Sequence, residues 1–175
     1  MERTIKIKPK KRESQQLNIF SRGLLTRSIL ISIIDIGNNL HSLIEKVIKK
    51  EMEGKCTVEG FIKHDSCNIL TYSSGLVQAT NVKFEVVFEC QIACPVEGTI
   101  IKCRVKNVTK AGICAESLHE RPSPIIVFIA RDHHFMSEYF SSIKEQDEIE
   151  IKVIGQRFEL NDKVISVIAT LVEAK

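Results

Sequence analysis

Aromatic rings are scarce in this sequence: no tryptophan, two tyrosines and eight phenylalanines, together 6% of 175 residues. Any surface that stacks on bases therefore has few rings to draw on. Long apolar runs are missing as well. The stretch 29–36 is interrupted by Ser32 and Asp35, far short of the roughly 20 residues a membrane helix needs, so no spanning segment is expected. Excess charge of one sign is also small, a net +3. The chain is no polycation of the histone kind, and a nucleic-acid surface would have to come from local clustering.

Motifs that carry chemistry are equally sparse. "HDSC" (64–67) and "RDHH" (131–134) contain metal-ligand residue types, but neither has the paired C-x-x-C or H-x-x-x-H spacing of a structural zinc site. There is no nucleophile elbow, no Gly-rich phosphate loop, and no pair of carboxylates set among apolar positions. These absences argue against an enzyme acting alone, and no metal or cofactor is expected. The six cysteines are scattered through apolar strand positions such as Cys90, Cys94 and Cys103. In a chain that is 43% hydrophobic and can build its own core, they read as reduced core thiols, not a disulfide framework. The opening "MERTIKIKPKKRESQQ" is basic but lacks the apolar block and cleavage site of a secretory signal, so an intracellular protein is expected.

What is present divides the chain into three. Residues 1–23 form a basic arm, with Arg3, Lys6, Lys8, Lys10, Lys11 and Arg12 around Pro9 and few apolar residues to offset the cost of ordering. It either touches phosphate or an acidic partner, or is a solvated terminus. Residues 24–95 read as a small α+β domain. "LLTRSILISII" (24–34) suits a strand buried on both faces or nearly so. "NNLHSLIEKVIKKEME" places Leu40, Leu43, Ile44, Val47, Ile48 and Met52 on one helical stripe, with Asn38 or Asn39 as cap and Gly54 as left-handed stop. "CTVEGFIK" reads as a second strand and residues 69–72 as a short third, followed by a turn at Ser73, Ser74 and Gly75. The strongest alternation lies in "VKFEVVFECQIAC", where Val82, Phe84, Val86, Phe88, Cys90, Ile92 and Cys94 share one face. An antiparallel sheet with one packed helix follows.

Pro95 and Gly98 end that run, and 96–175 is a second domain dominated by strands at 99–108, 113–117, 125–130, 148–156 and 163–172. Five strands in about 80 residues is the size of an OB-type β-barrel. Residues 131–148 connect the third and fourth through one helical turn, and Asn161-Asp162 turns between the last two. In the first barrel strand Ile101, Cys103 and Val105 share one face, so Lys102, Arg104 and Lys106 share the other. Such a stripe either tracks a phosphate backbone or is an ordinary charged outer face. Phe128 either points outward to stack on a base or fills the core.

The order of these features resembles the stalk subunit of multisubunit DNA-directed RNA polymerases, the family of the seventh subunit of eukaryotic polymerase II and its archaeal equivalent. The resemblance covers about 24–172 and rests on Glu53-Gly54-x-Cys56 with Gly60, on Pro95-x-x-Gly98, and on "VTKAGICAE", which is similar to the strand-turn-strand of an S1-type barrel. It implies an RNP-like tip domain that docks on the polymerase core, followed by an S1-like OB domain beside nascent single-stranded RNA. It also implies that Glu53, Gly54, Lys55 and Gly60 belong to the docking surface, while the plainer alternative for the glycines is a helix stop and a strand irregularity. S1 barrels usually carry an aromatic on each side of the turn glycine; here those places hold Ala111 and Ile113 or Cys114. The basic arm and divergent barrel fit a viral or otherwise diverged polymerase, acting in a nucleus or in a cytoplasmic virus factory and virion. The implied partners are the polymerase core subunits and RNA, with any small helical stalk partner supplied as a separate chain, and no membrane. The alternative is a free-standing S1/OB protein that binds single-stranded RNA in translation or RNA decay, which would need strong RNA affinity of its own.

Overall fold

The computed structural model describes residues 19–118, 120–134 and 136–172; the arm expected at 1–23 lies outside them as far as residue 18. The first sheet is built from β1 (Phe20–Ser32), β2 (Cys56–Thr57), β3 (Gly60–Ile62), β4 (Asn68–Tyr72), β5 (Leu76–Gln78) and β6 (Asn81–Ala93), with α1 (Leu40–Met52) packed on one face. The spine is β6. It pairs antiparallel with all of β1, from Phe20 opposite Ala93 to Ser32 opposite Asn81, and its other edge is shared by β3, β4 and β5. The alternation along β6 is the packing itself: Val82, Phe84, Val86, Phe88, Cys90 and Ile92 are buried with Leu25, Ile29 and Ile31 of β1 and Ile44 and Ile48 of α1.

Three local expectations are corrected. Strand β1 is dry on one face only, because the single helix covers one side of the sheet and leaves Leu24 and Leu30 exposed on the other. "CTVEGFIK" is not one strand but a tight hairpin, β2 to β3, in which Gly60 takes φ +133 and the Thr57 hydroxyl donates to the Gly60 carbonyl at 3.1 Å. Alternation along β6 stops at Ala93, so Cys94 is exposed, with the Gln156 side-chain amide 3.3 Å from its sulfur. The helix limits follow the caps, although Asn39 sits at the N-cap without a side-chain hydrogen bond. Gly54, at φ +69, supplies the left-handed stop.

The second unit is a closed barrel of β7 (Ile100–Val108), β8 (Gly112–Ser117), β9 (Ile125–Ala130), β10 (Glu148–Arg157) and β11 (Ile165–Leu171), with α2 (Glu138–Ser142) between β9 and β10. The order around it is β7-β8-β9-β11-β10 and back to β7, antiparallel except for the parallel β9/β11 pair. This is the closed five-stranded OB arrangement that the strand count predicts. Ile101, Cys103 and Val105 point inward with Ile113, Val127 and Val167, and Phe140 of α2 and Ile143, the residue that follows the helix, join the same core. Burial pushes the Cys103 thiol up to about 12 and the Cys56 thiol up to about 11, with the Asp162 carboxylate adding to the latter. Both are therefore protonated at pH 7.

The two sheets stay separate while their interiors meet. Phe20, Cys56, Phe61 and Ala93 belong to the first unit yet pack into the barrel's core cluster. The main chain of Cys56 seals the join: its N–H donates to the Asp162 carbonyl at 2.7 Å, and its carbonyl accepts from the Asn161 N–H at 2.9 Å.

Candidate nucleic-acid and partner interface

Strand β7 turns Lys102, Arg104 and Lys106 to the outside of the barrel, as the alternation requires, and the neighbouring strands answer each with a carboxylate. Register sets the pairing. Glu148 and Glu150 of β10 lie opposite Arg104 and Lys102, giving ion pairs of 3.0 and 3.6 Å. Lys106 sits at the β7 bulge opposite β8 and pairs with Glu116 at 2.7 Å. The stripe is therefore three cations against three carboxylates. Exposed pairs of this kind are weak, on the order of 0–1 kcal/mol each, so a phosphate can compete for the cations but meets no bare positive field.

Phe128 points outward from β9 and is half-buried, opposite Cys114 of β8 and Ile168 of β11. A β-carbon at Gly112 would come within 3.0 Å of its Cζ, so the ring lies over the glycine at the start of β8. Together with the exposed Ile126 and Ile168 it forms an apolar strip two strands, about 10 Å, from the β7 cations. The "RDHH" segment is structural. Arg131 caps the Phe140 ring at 5.5 Å, His134 stacks on that ring, and His134 Nε2 accepts the Leu171 N–H at 3.2 Å.

The four residues tied to docking have internal tasks. The Glu53 carboxylate accepts the backbone N–H groups of Asp65 and Cys67 at 2.9 and 3.0 Å and so brackets the β3–β4 loop. A β-carbon at Gly54 would overlap the His64 imidazole, and one at Gly60 would overlap the Ala93 carbonyl oxygen. Lys55 Nζ reaches back to the Lys50 carbonyl at 3.3 Å, capping the end of α1. Glu53, Gly54 and Lys55 lead directly into Cys56 at the join, and Gly60 presses on Ala93, which packs into the barrel core.

Comparison with known proteins supplies the deciding observation. No protein-family model matches the chain. It is 27% identical over 158 residues to DNA-directed RNA polymerase II subunit 7 of Arabidopsis thaliana, covering 81% of this chain and 86% of that protein. It is 26% identical over 161 residues to DNA-directed RNA polymerase II subunit RPB7 of Glycine max, with coverage of 82% and 88%. The chain is similar over most of its length to proteins named as the seventh subunit of RNA polymerase II. A protein of Acanthamoeba polyphaga mimivirus, provisionally named as a DNA-directed RNA polymerase subunit, is 24% identical over 176 residues, with coverage of 91% and 85%. Matches of this extent run through both units, and their names support an RNA polymerase subunit. Among the described residues no helix is long and apolar enough to cross a membrane.

Sequence reasoning missed a cleft of about 390 Å³ at the join of the two units, where the end of β3, the β8–β9 connection and the segment leading into β11 converge. Its walls come from three stretches about 40–60 residues apart in sequence, each too short to carry a pattern. Of these residues the sequence singles out Gly54, as helix stop and docking residue, and His64, as a metal-ligand type. His64 forms part of the cleft wall, while Cys67 of the same "HDSC" segment is buried in the first core.

Proposed function

We propose that the chain is a non-catalytic stalk subunit of a DNA-dependent RNA polymerase, the catalytic site lying on other chains. The first unit is the tip domain that docks on the core enzyme, and the OB barrel contacts nascent RNA. The observation that carries this reading is that relatives named as RNA polymerase subunits match across both units. Surface chemistry supports it. At the end of the β1/β6 ladder away from the barrel, Leu30 and Leu76 flank Lys83 on the open face, Val77 is exposed on the other face, and Ile33 and the 93% exposed Ile34 follow β1, exposed aliphatic surface of the sort that a permanent partner covers. On the barrel, Phe128 and its aliphatic neighbours give a base a surface to lie on, and the β7 cations are held by pairs weak enough for phosphate to exchange. Glu53, Gly54, Lys55 and Gly60 serve docking by holding the tip rigid against the barrel. A small helical stalk partner would be a separate chain, and the work belongs to a nucleus or to a virus factory and virion.

The test is affinity purification of the tagged chain from the cells that produce it, followed by mass spectrometry. The large catalytic polymerase subunits should copurify, and Ile34→Asp with Leu76→Asp should release them while the circular dichroism of the chain is unchanged. Absence of polymerase subunits from the unaltered chain's eluate would overturn the reading.

A further inference from the structure

The cleft at the join differs in charge from the β7 stripe. Lys63, Arg121 and Lys163 line it against one carboxylate, Glu120, and that carboxylate is taken by Lys63. Among the described residues no ion pair engages Arg121 or Lys163, and both are exposed. The cleft therefore has two uncommitted cations among its lining residues.

The rest of its lining is largely apolar, with Phe61, Pro122, Pro124 and Val164. The exposed His64 ring stands beside them, edge-on to Phe61 with centroids 6.5 Å apart, in space that Gly54 leaves open by having no side chain. Ser123, the hydroxyl among these residues, is already committed: it accepts from the Ser117 N–H at 3.1 Å and donates to the Ile125 carbonyl at 2.8 Å. A ligand here meets stacking surface and positive charge rather than a set of base-reading hydrogen bonds. An unpaired nucleotide has the matching chemistry, a planar base and an anionic phosphate, and about 390 Å³ lies within the range of small-ligand sites, roughly 300–1,000 Å³.

We propose that this cleft holds one nucleotide of single-stranded RNA, its base against His64 and the prolines and its phosphate on Arg121 and Lys163. The inference rests on the RNA contact in the proposed function and moves its strongest point from the barrel's outer face to the join. Because nothing in the apolar lining reads base edges, sequence preference should be weak.

Fluorescence anisotropy with the full chain and a fluorescein-labelled single-stranded RNA of mixed sequence tests it. Arg121→Ala with Lys163→Ala should weaken binding about tenfold at low salt and lower the salt slope by about 0.7, the value for one lost phosphate contact on a single strand. Lys102→Ala with Lys106→Ala removes the same charge from the paired stripe and should change affinity less than twofold. His64→Ala should weaken binding with no change in slope, which separates stacking from charge. Thermal melts of each variant establish that the fold is kept. If the Arg121/Lys163 variant binds as well as the unaltered chain, the proposal is wrong and the cleft is left to a protein partner. If the unaltered chain binds no RNA at any salt concentration, the RNA contact falls and this site with it, while copurification with polymerase would still support the docking half of the proposed function.

Discussion

The tip sheet and the barrel solve the same problem of covering a sheet in opposite ways. The barrel closes, so every strand has two neighbours and one continuous interior, and period-two alternation is enough to specify it. The tip stays open. One 13-residue spine carries β1 on one edge and three short strands on the other, one helix covers one face, and the second face ends in exposed aliphatic side chains. An open sheet is specified by a few special positions and leaves surface for a partner; a closed one is specified by pattern and leaves function to its outside and its ends. The largest test of that contrast is Phe88→Ala. Phe88 is fully buried at the centre of the tip core, and its loss should cost about 3–5 kcal/mol. Hydrogen exchange read by mass spectrometry should show β1, β6 and α1 losing protection while β7 to β11 keep theirs. Equal loss in both units would mean that the shared residues Phe20, Cys56, Phe61 and Ala93 couple them into one cooperative structure.

Glycine substitutions sharpen the same contrast. Gly60 needs a positive φ and presses on the Ala93 carbonyl, so Gly60→Ala combines backbone strain with a clash against main chain that cannot rotate away. About 2–3 kcal/mol of destabilisation is expected in urea unfolding. Gly98 also has a positive φ, +84, but nothing lies within 4 Å of an added β-carbon. Gly98→Ala should therefore show only the left-handed penalty, about 1 kcal/mol. A larger loss at Gly98 than at Gly60 would show that the linker, not the hairpin, governs the join.

Legibility from sequence follows the same division. All five barrel strands are readable to within about two residues, because closure lets each follow its own alternation. In the tip, β6 and α1 are equally plain, since each is long enough to repeat its period. The hairpin at 56–62 is not, because two-residue and three-residue strands carry no period, and the positive φ at Gly60 has no sequence signature that separates it from an ordinary strand glycine. The outward placing of Lys102, Arg104 and Lys106 is readable from one strand alone. Their neutralisation is not, since it depends on which strands lie beside β7, and that follows from topology. Arg121 and Lys163 are invisible for the same reason: short loops from different parts of the chain acquire a common surface only after both units have folded and met.

A smaller effect concerns the acid limb of stability in the tip. Arg27 Nη2 donates to both Glu59 carboxylate oxygens at 2.8 and 2.6 Å. These bonds hold Glu59 below its ordinary pKa of 4.5, against the opposing effect of burial and with help from the Thr57 hydroxyl. A depressed folded-state pKa contributes stability that is complete above about 4.5 and is lost as pH falls through the folded value. Arg27→Gln should remove that dependence, lowering stability by about 1 kcal/mol at pH 7 and by progressively less below pH 4.5. Unfolding midpoints compared at pH 7 and pH 3.5 measure it; an equal deficit at both would show that Arg27 acts by packing instead of charge.

The smallest expected effect is an increase in affinity, and it probes the barrel's outer face directly. Glu148→Gln with Glu150→Gln removes the carboxylates that occupy Arg104 and Lys102 while leaving both cations and the β10 backbone in place. Because the pairs are exposed, their loss should leave the melting temperature nearly unchanged. The freed cations should nevertheless raise affinity for single-stranded RNA about threefold at low salt and steepen the salt dependence by up to about 0.7 per new phosphate contact. That gain should persist when Arg121 and Lys163 are replaced by Ala, since the two surfaces belong to different elements and share no charged partner. If unmasking the stripe leaves both affinity and slope where they were, the β7 face lies off the RNA path, and its alternating charges serve only to keep the outside of a closed barrel soluble.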